Sequence, residues 1–397
     1  MGLLKTSKHL ALRPVAARDP KENHRVATPL ELLFDLIFVV AIAEAGQQLH
    51  HAIIENHLGS ALPYYFMVFF ALWWAWMNFT WFASAYDNDD VFYRLMTFVQ
   101  ITGSLIMAAG IPDVFHHQDF DIIIIGYVIM RLALVSQWFR AAKHDPAHRT
   151  VALRYAFGII FVQMGWLLFH FSPINFTLEL FILLLVLELA VPIFAEWGNP
   201  TSWHPHHIAE RYSLLTIIVL GESVVACYKA IQDDLATHIV HTDIMLLMVG
   251  GLMMMFTMWW AYFDRDAHHL LKSSKHAFLW GYGHYFIFIS VAAVGAALAA
   301  AVDVALGRAE VSAQFMQYIV AATLLGYTTS LWLLNELPYL SGVRRWLYPI
   351  TALIIFCIPA ISPHIGLGVF LMAIVYALRL IFSKCYLADH KTKPQPH

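Results

Sequence analysis

About a dozen stretches of roughly 20 apolar residues constrain this chain more than anything else in it, because that is the length a helix needs to cross a bilayer. Several are interrupted near their middle by a carboxylate or an arginine. Hydrophobic residues make up 60% of the sequence and charged residues 13%, more apolar surface than a soluble domain of 397 residues can bury. The apolar runs are continuous and do not alternate, which excludes a β-barrel. The expected fold is an all-α integral membrane protein. Its candidate spans are 30–50, 61–84, 92–111, 120–142, 151–171, 174–195, 208–230, 243–263, 276–302, 312–335, 345–362 and 364–384. Aromatic side chains are abundant (13 Trp, 17 Tyr, 28 Phe), as belts at two membrane interfaces require.

The basic residues set the orientation. With twelve spans, 21 of the 24 Lys and Arg fall on the side of the N-terminus, Lys229 and Arg308 fall on the other, and Arg131 lies within a span. The positive-inside rule then puts both termini in the cytoplasm, with the chain multi-pass in the inner (plasma) membrane. The basic arm 1–29 is not followed by a cleavage site, so it is read as a topological anchor touching anionic lipid rather than as a signal peptide. Cys227, Cys357 and Cys385 are scattered, and no disulfide or thiolate metal site is expected.

Two six-span halves, 30–195 and 208–384, are joined by a linker at 196–207 that holds Gly198, Pro200 and Pro205, and a tail follows at 385–397. The first span of each half carries two glutamates, Glu31 and Glu44 in one, Glu210 and Glu222 in the other. The second carries Trp-Trp-Ala, at Trp73-Trp74 and Trp259-Trp260, and then an aromatic-acidic exit at Tyr86-Asp87 and at Phe263-Asp264. An even number of spans per half predicts a parallel pseudo-repeat about an axis along the membrane normal.

Charges inside spans are expensive and mark function by default. Thr28-Pro29-Leu30-Glu31 has the spacing of a capping box with proline at the first helical position, so Glu31 starts a helix. Asp35 lies one turn deeper, where no cap explains it. Glu44, Gln47, Gln48 and His51 form one polar stripe. Glu222 follows Gly221, which would admit a close helix neighbour. Arg131 must pair with a deep carboxylate, Glu222 or Glu44 before Glu188. Deep acids outnumber the deep base, which points to protons or cations. Trp73, Trp74, Asn78, Trp259 and Trp260 would line or brace the site. His284 is a weaker relay candidate, and His204, His206 and His207 read chiefly as a solvated linker. No phosphate-cradling glycine loop, nucleophile elbow or paired-histidine zinc motif is present, and neither a cofactor nor a metal is expected.

Glu31-Leu-Leu-Phe-Asp35-Leu-Ile-Phe-Val, Glu210-Arg211 with Gly221-Glu222-Ser, and Trp259-Trp260-Ala-Tyr-Phe-Asp264 together resemble the bacterial low temperature requirement A (LtrA) family, over nearly the whole chain. The family's usual Phe-Gly after the second Glu-Arg is Tyr212-Ser213 here, a change at a helix start that leaves the glutamate in place. The resemblance implies a membrane protein and adds little mechanism. At the level of fold alone, the layout is also loosely similar to otopetrin-type proton channels and lysosomal cation channels.

The expected function is a transporter or channel for protons, a cation or a proton-coupled small solute. Asp35, Glu44 and Glu222 would be carriers between the halves, with Arg131 as counter-charge and Glu188 nearby. Expected partners are membrane lipids, the transported species and a possible second copy, with no nucleic acid. The rival is a membrane enzyme or sensor acting on a lipid or cofactor, built on Glu31, Glu210, Arg211, Asp264, Arg265 and Asp266 at the cytoplasmic rim. Acids converging at mid-span favour transport, and acids converging at the rim beside a lipid-open cleft favour the rival.

Overall fold

A computed structural model describes residues 12–22, 25–171, 178–235, 242–265, 268–271, 273–340 and 344–391. Lys5, Lys8, Asp266, Lys272 and Lys393 lie outside them. Among the described residues there are twelve α-helices: α1 (Pro29–Ile54), α2 (Leu58–Tyr86), α3 (Val91–His117), α4 (Asp121–His144), α5 (Arg149–His170), α6 (Leu178–Ala195), α7 (Pro205–Leu235), α8 (Thr242–Phe263), α9 (Ser274–Ala305), α10 (Ala313–Leu331), α11 (Arg344–Ile361) and α12 (Ile365–Lys391). Each overlaps one candidate span. Nine of them, α2 to α9 and α12, are long and apolar enough to cross a membrane. Of the other three, α1 carries Glu31, Asp35 and Glu44, and α11 contains Pro349 and Pro359.

Caps set where the helices start. Thr28 and Glu31 close the predicted capping box: the Thr28 N–H and Oγ1–H donate to Glu31 Oε2 at 2.7 and 2.9 Å, and the Glu31 N–H donates to Thr28 Oγ1 at 3.3 Å. Asp90 caps α3 by accepting from the Tyr93 N–H at 2.9 Å. Such caps occupy the amide donors that a helix start leaves free. Inside the helices, Thr97, Ser223 and Thr328 return their hydroxyls to the carbonyl four residues back, so these polar side chains do not face lipid unpaired.

The chain divides into two compact units. The first comprises Met1–Ala45 and Met67–Leu214. In it α3 packs on α4, α4 on α5 and α5 on α6. The α3–α4 contact is the closest, since a Cβ on Gly103 would stand 2.7 Å from the Gly126 carbonyl oxygen and one on Gly126 would stand 2.5 Å from that of Gly103. Paired glycines let two helix backbones touch, the packing mode that works without a hydrophobic driving force in lipid.

The second unit comprises Gly46–Phe66 and Leu215–His397. Here α12 packs on α8 and α11, and α9 packs on α10. The middle of α9 is a run of small residues, Ala292 to Ala301, buried almost throughout. After α10 the chain widens into a π-helical turn, Trp332–Glu336.

Candidate functional site

The largest gathering of buried charge lies in the first unit, at the start of α1, the end of α2 and the start of α7. Arg211, six residues into α7, holds two carboxylates of α1. Its Nη1 is 3.0 Å from Glu31 Oε1, its Nη2 is 2.5 Å from Asp35 Oδ1, and its Nε is 3.2 Å from Asp35 Oδ2. Trp76 of α2 donates its indole N–H to Asp35 at 2.7 Å. His207, one turn before Arg211, brings Nε2 to 3.1 Å from Glu31 Oε1. Arg25, just before α1, lies 3.8 Å from Glu31 and 3.6 Å from Asp87 at the end of α2. Glu31, Asp35, His207 and Arg211 are wholly buried, Asp87 is 4% exposed and Arg25 7%.

Counting charges shows what this cluster can do. Two guanidiniums face three carboxylates, which leaves one negative charge in excess if all three ionise. A proton, on a carboxyl or on His207, restores neutrality. In a buried site that proton is worth a great deal, because the alternative is an uncompensated ion out of water. Asp87, beyond the last turn of α2, has its pKa pushed up to about 6, first by burial and then by the Glu31 charge, against the pull of Arg25 and Arg18. It therefore titrates near neutral pH.

A second buried group is built differently. Arg131 of α4 meets Glu188 of α6 at 2.8 Å, both at most 1% exposed. Glu188 also accepts from Trp74 Nε1 of α2 (2.9 Å), the Tyr127 hydroxyl of α4 (2.8 Å) and Gln163 Nε2 of α5 (3.1 Å). Four donors from three helices saturate one carboxylate. Arg131 thus finds a deep partner as its depth demands, but the partner is Glu188 rather than the favoured Glu222 or Glu44. The reason is the ring of donors on α2, α4 and α5, which makes Glu188 an acceptor fixed in place.

The remaining predicted residues are spread out. Glu44 is half-buried in the first unit, and Gln47 is exposed in the second. Glu222 is half-buried in the second unit. A Cβ on the exposed Gly221 would meet nothing within 4 Å among the described residues, so the close helix approach expected there does not occur. It occurs instead at Gly295 of α9, where a Cβ would stand 2.6 Å from Ser223 Oγ. The Trp pairs differ: Trp73 and Trp74 are buried, whereas Trp259 and Trp260 are 49% and 44% exposed. Asn78 turns back to the Trp74 carbonyl at 2.8 Å, and Glu210 accepts from the Ala27 N–H at 3.1 Å. Asp264 pairs with Lys384. His284 is buried between the Tyr262 hydroxyl (3.0 Å) and the Trp280 carbonyl (2.8 Å). Nδ1 must donate to that carbonyl, which leaves Nε2 to accept from the tyrosine.

One expectation about the ends of the helices is corrected. His207 is wholly buried and His204 is 7% exposed, so this is no solvated linker. The His204 ring meets the Glu22 carbonyl at 3.0 Å, and its N–H donates to Ser84 Oγ at 2.9 Å. The arm before α1 is likewise packed on protein: the Arg18 N–H donates to the Ala85 carbonyl at 2.9 Å, and Val15 is 4% exposed. Arg25, Asp87 and His207 are thus the site residues that sequence reasoning left out. Their faint signal was position, since each sits within a few residues of the end of a charged span.

Apolar cavities lie elsewhere. One of about 610 Å³ between α5 and α6 is lined by Leu153, Phe157, Phe161, Leu187 and Phe194, and no member of the charge cluster lines it. Among the described residues no set of His, Cys, Asp and Glu side chains is grouped to hold a metal ion.

The geometry can be set beside known proteins. No solved structure matches the chain. It is 26% identical over 271 residues to the uncharacterized protein RA0937 of Rhizobium meliloti (strain 1021). That match spans 64% of this chain and 64% of the relative's length. The family profile of the bacterial low temperature requirement A protein matches residues 26–380, from Arg25's neighbour through the cluster to the last helix, and the chain belongs to that family.

Proposed function

We propose that this LtrA family protein moves protons, or a cation or small solute coupled to protons, across the membrane, with the proton held at Asp87 in the buried cluster that it forms with Arg25 and Glu31. The observation that carries this reading is the charge count in a sealed site. Three carboxylates share two guanidiniums and an imidazole, all nearly out of solvent. Such a group binds one proton and releases it when its surroundings change. The site proposed from sequence shifts accordingly. Asp35 stays, held by Arg211 and Trp76, and the exchangeable proton is assigned to Asp87. The twelve helices are proposed as twelve spans, with the N-terminus cytoplasmic.

Reconstitution in proteoliposomes tests the reading. Imposed gradients of protons, potassium and sodium should reveal a proton flux. Asp87→Asn and His207→Gln should each lower it about tenfold while the protein still elutes as a single species. Absence of flux for all three ions, or wild-type flux in both variants, refutes it. One observation favours the rival reading of a membrane enzyme or sensor: the carboxylates gather within two turns of the start of α1 rather than at mid-span. They are sealed rather than open to a cleft, which argues against substrate access from this state.

A further inference from the structure

The groove between α5 and α6 is apolar along its length and basic at one end. Helical spacing makes it so. On α5, Arg149, Leu153, Phe157 and Phe161 recur every four residues and share a face, with Arg154 beside Leu153. Ala190 and Phe194 of α6 line the opposite wall. Phe157, Phe161 and Phe194 stand exposed as rims, whereas Val162 and Val191 are buried as the floor. A Cβ on Gly158 would stand 2.9 Å from Val191, so the two helices touch beneath the groove. We propose that this groove holds one anionic phospholipid of the surrounding bilayer, with an acyl chain along the phenylalanines and the phosphate at Arg154 and Arg149. Nothing in it depends on which species the protein moves.

Length and charge both select that occupant. From Thr150 to Phe161 the groove runs about 16 Å along α5, half of a hydrocarbon core roughly 30 Å thick. It therefore matches one leaflet. Its basic end lies at headgroup level, where the exposed Trp197 follows α6 as an interfacial tryptophan. Arg154 is held at that level. Its Nη1 donates to the Trp197 carbonyl at 2.9 Å, and its guanidinium carbon lies 5.2 Å from the centre of the Phe194 ring. One of its five N–H donors is used in this way.

Among the described residues neither Arg149 nor Arg154 pairs with a carboxylate. The acids nearest in sequence are engaged elsewhere. Asp145 meets the His148 ring at 2.8 Å and accepts from the Tyr86 hydroxyl at 3.1 Å. Glu196 accepts from the Tyr155 hydroxyl at 2.9 Å and from the Thr201 hydroxyl and N–H, both at 2.8 Å. Two uncompensated guanidiniums at the mouth of an apolar groove suit a phosphate, which their fork of donors matches in shape as well as charge. Basic pockets between spans bind anionic headgroups in this way. A second copy docked about a two-fold axis would set the same bases against each other. A zwitterionic headgroup would bring an ammonium of its own toward them.

Native mass spectrometry of the full-length protein counts the lipid, with dioleoylphosphatidylglycerol or dioleoylphosphatidylcholine added to the detergent. Wild type should retain one phosphatidylglycerol and bind it about 30-fold more tightly than phosphatidylcholine, roughly fivefold for each of two bases. Arg149→Gln/Arg154→Gln should abolish that preference and leave phosphatidylcholine binding as it was, and Arg149→Lys/Arg154→Lys should keep most of it. Ala190→Trp puts an indole into the groove and should weaken retention of both lipids about tenfold. Equal retention of the two lipids by wild type, a preference unchanged in the glutamine variant, or retention unchanged by Ala190→Trp overturns the site. A wild-type dimer that Ala190→Trp converts to monomer would give the groove to a second copy and overturn it too. The arginine variants leave the floor of the groove intact, so they decide the matter where Ala190→Trp does not fold. Transport is not measured, and failure here leaves the proposed function standing.

Discussion

Replacing Glu188 by glutamine and Arg131 by leucine, singly and together, isolates the ion pair that joins α4 to α6. Glu188→Gln leaves the Arg131 charge in a site 1% exposed with no carboxylate at 2.8 Å. Breaking a buried pair in this way costs about 3–5 kcal/mol. Arg131→Leu is milder, because Trp74, Tyr127 and Gln163 still donate to Glu188. It still removes the one positive charge there, at about 2–3 kcal/mol for a charge-assisted bond. In the double variant glutamine accepts from Trp74 and Tyr127 and no charge remains, so about 1–2 kcal/mol is lost in all. The coupling is then about 3–7 kcal/mol, well above the roughly 0.6 kcal/mol average for neutral interhelical hydrogen bonds in a membrane protein. Equilibrium unfolding of the four proteins in mixed micelles measures it. A coupling at or below about 0.6 kcal/mol would refute the assignment of Glu188 as the fixed counter-ion. If the pair is structural, the double variant also keeps whatever activity the wild type has.

Asp87→Asn should gain stability relative to wild type as pH rises. An acid whose folded pKa is raised to about 6 contributes stability that is full below its unfolded value and lost as pH passes 6; the shift in the difference is about 1.4 kcal/mol between pH 5 and pH 7.5, and equal unfolding midpoints for the two proteins at both pH values would contradict it. Asp90 behaves oppositely. Burial alone would raise its pKa, but Arg140 and the Arg13 and Tyr93 amides bring it down to about 2. Its contribution is present above the ordinary aspartate range and fades as pH falls toward 2, so Asp90→Asn should destabilise at pH 7 and be nearly silent at pH 2. Thr28→Ala removes the cap of α1 and should cost about 1 kcal/mol, read by unfolding; no change would mean the capping box is not formed. Reporter fusions at Gln118, Arg308 and His238 (the last outside the described residues) should read as external, and those at His148 and Ser273 as cytoplasmic; two contrary results would overturn the topology.

The helices were legible because a long apolar run announces a helix locally. Each of α1 to α12 overlaps a run of apolar residues, and Thr28-Pro29-Leu30-Glu31 fixes the start of α1 from four adjacent positions. The burial cost of Arg131 was legible too, since depth within a span requires a partner. Which partner was not, because Tyr127, Gln163 and Trp74 converge on Glu188 from helices the sequence does not orient. Arg25 and Asp87 were harder still. They are 62 residues apart, and each reads alone as an ordinary interfacial charge. Their meeting depends on the arm before α1 folding back along α2, which no periodicity encodes. His207 misled for a related reason: Trp-His-Pro-His-His has the composition of a loop, yet Pro205 opens α7 and carries His207 inward.

The two buried groups of the first unit illustrate why depth alone does not separate structural charges from working ones. Glu188 is the deeper within its helix, and its bonding is fully accounted for. Four donors fill its two oxygens, and one of them, the Arg131 guanidinium, cancels its charge. Glu31, Asp35 and Asp87 lie nearer the ends of α1 and α2, yet against Arg25 and Arg211 their charges cannot be balanced without a proton. Exchange needs an odd charge, so that the proton matters. Neutralising Glu188 should therefore shift stability without shifting the pH midpoint of flux, and neutralising Asp87 should shift that midpoint even where stability is restored. Flux titrations of Arg131→Leu/Glu188→Gln and Asp87→Asn separate the two groups, and a midpoint that follows Glu188 instead would reverse their roles.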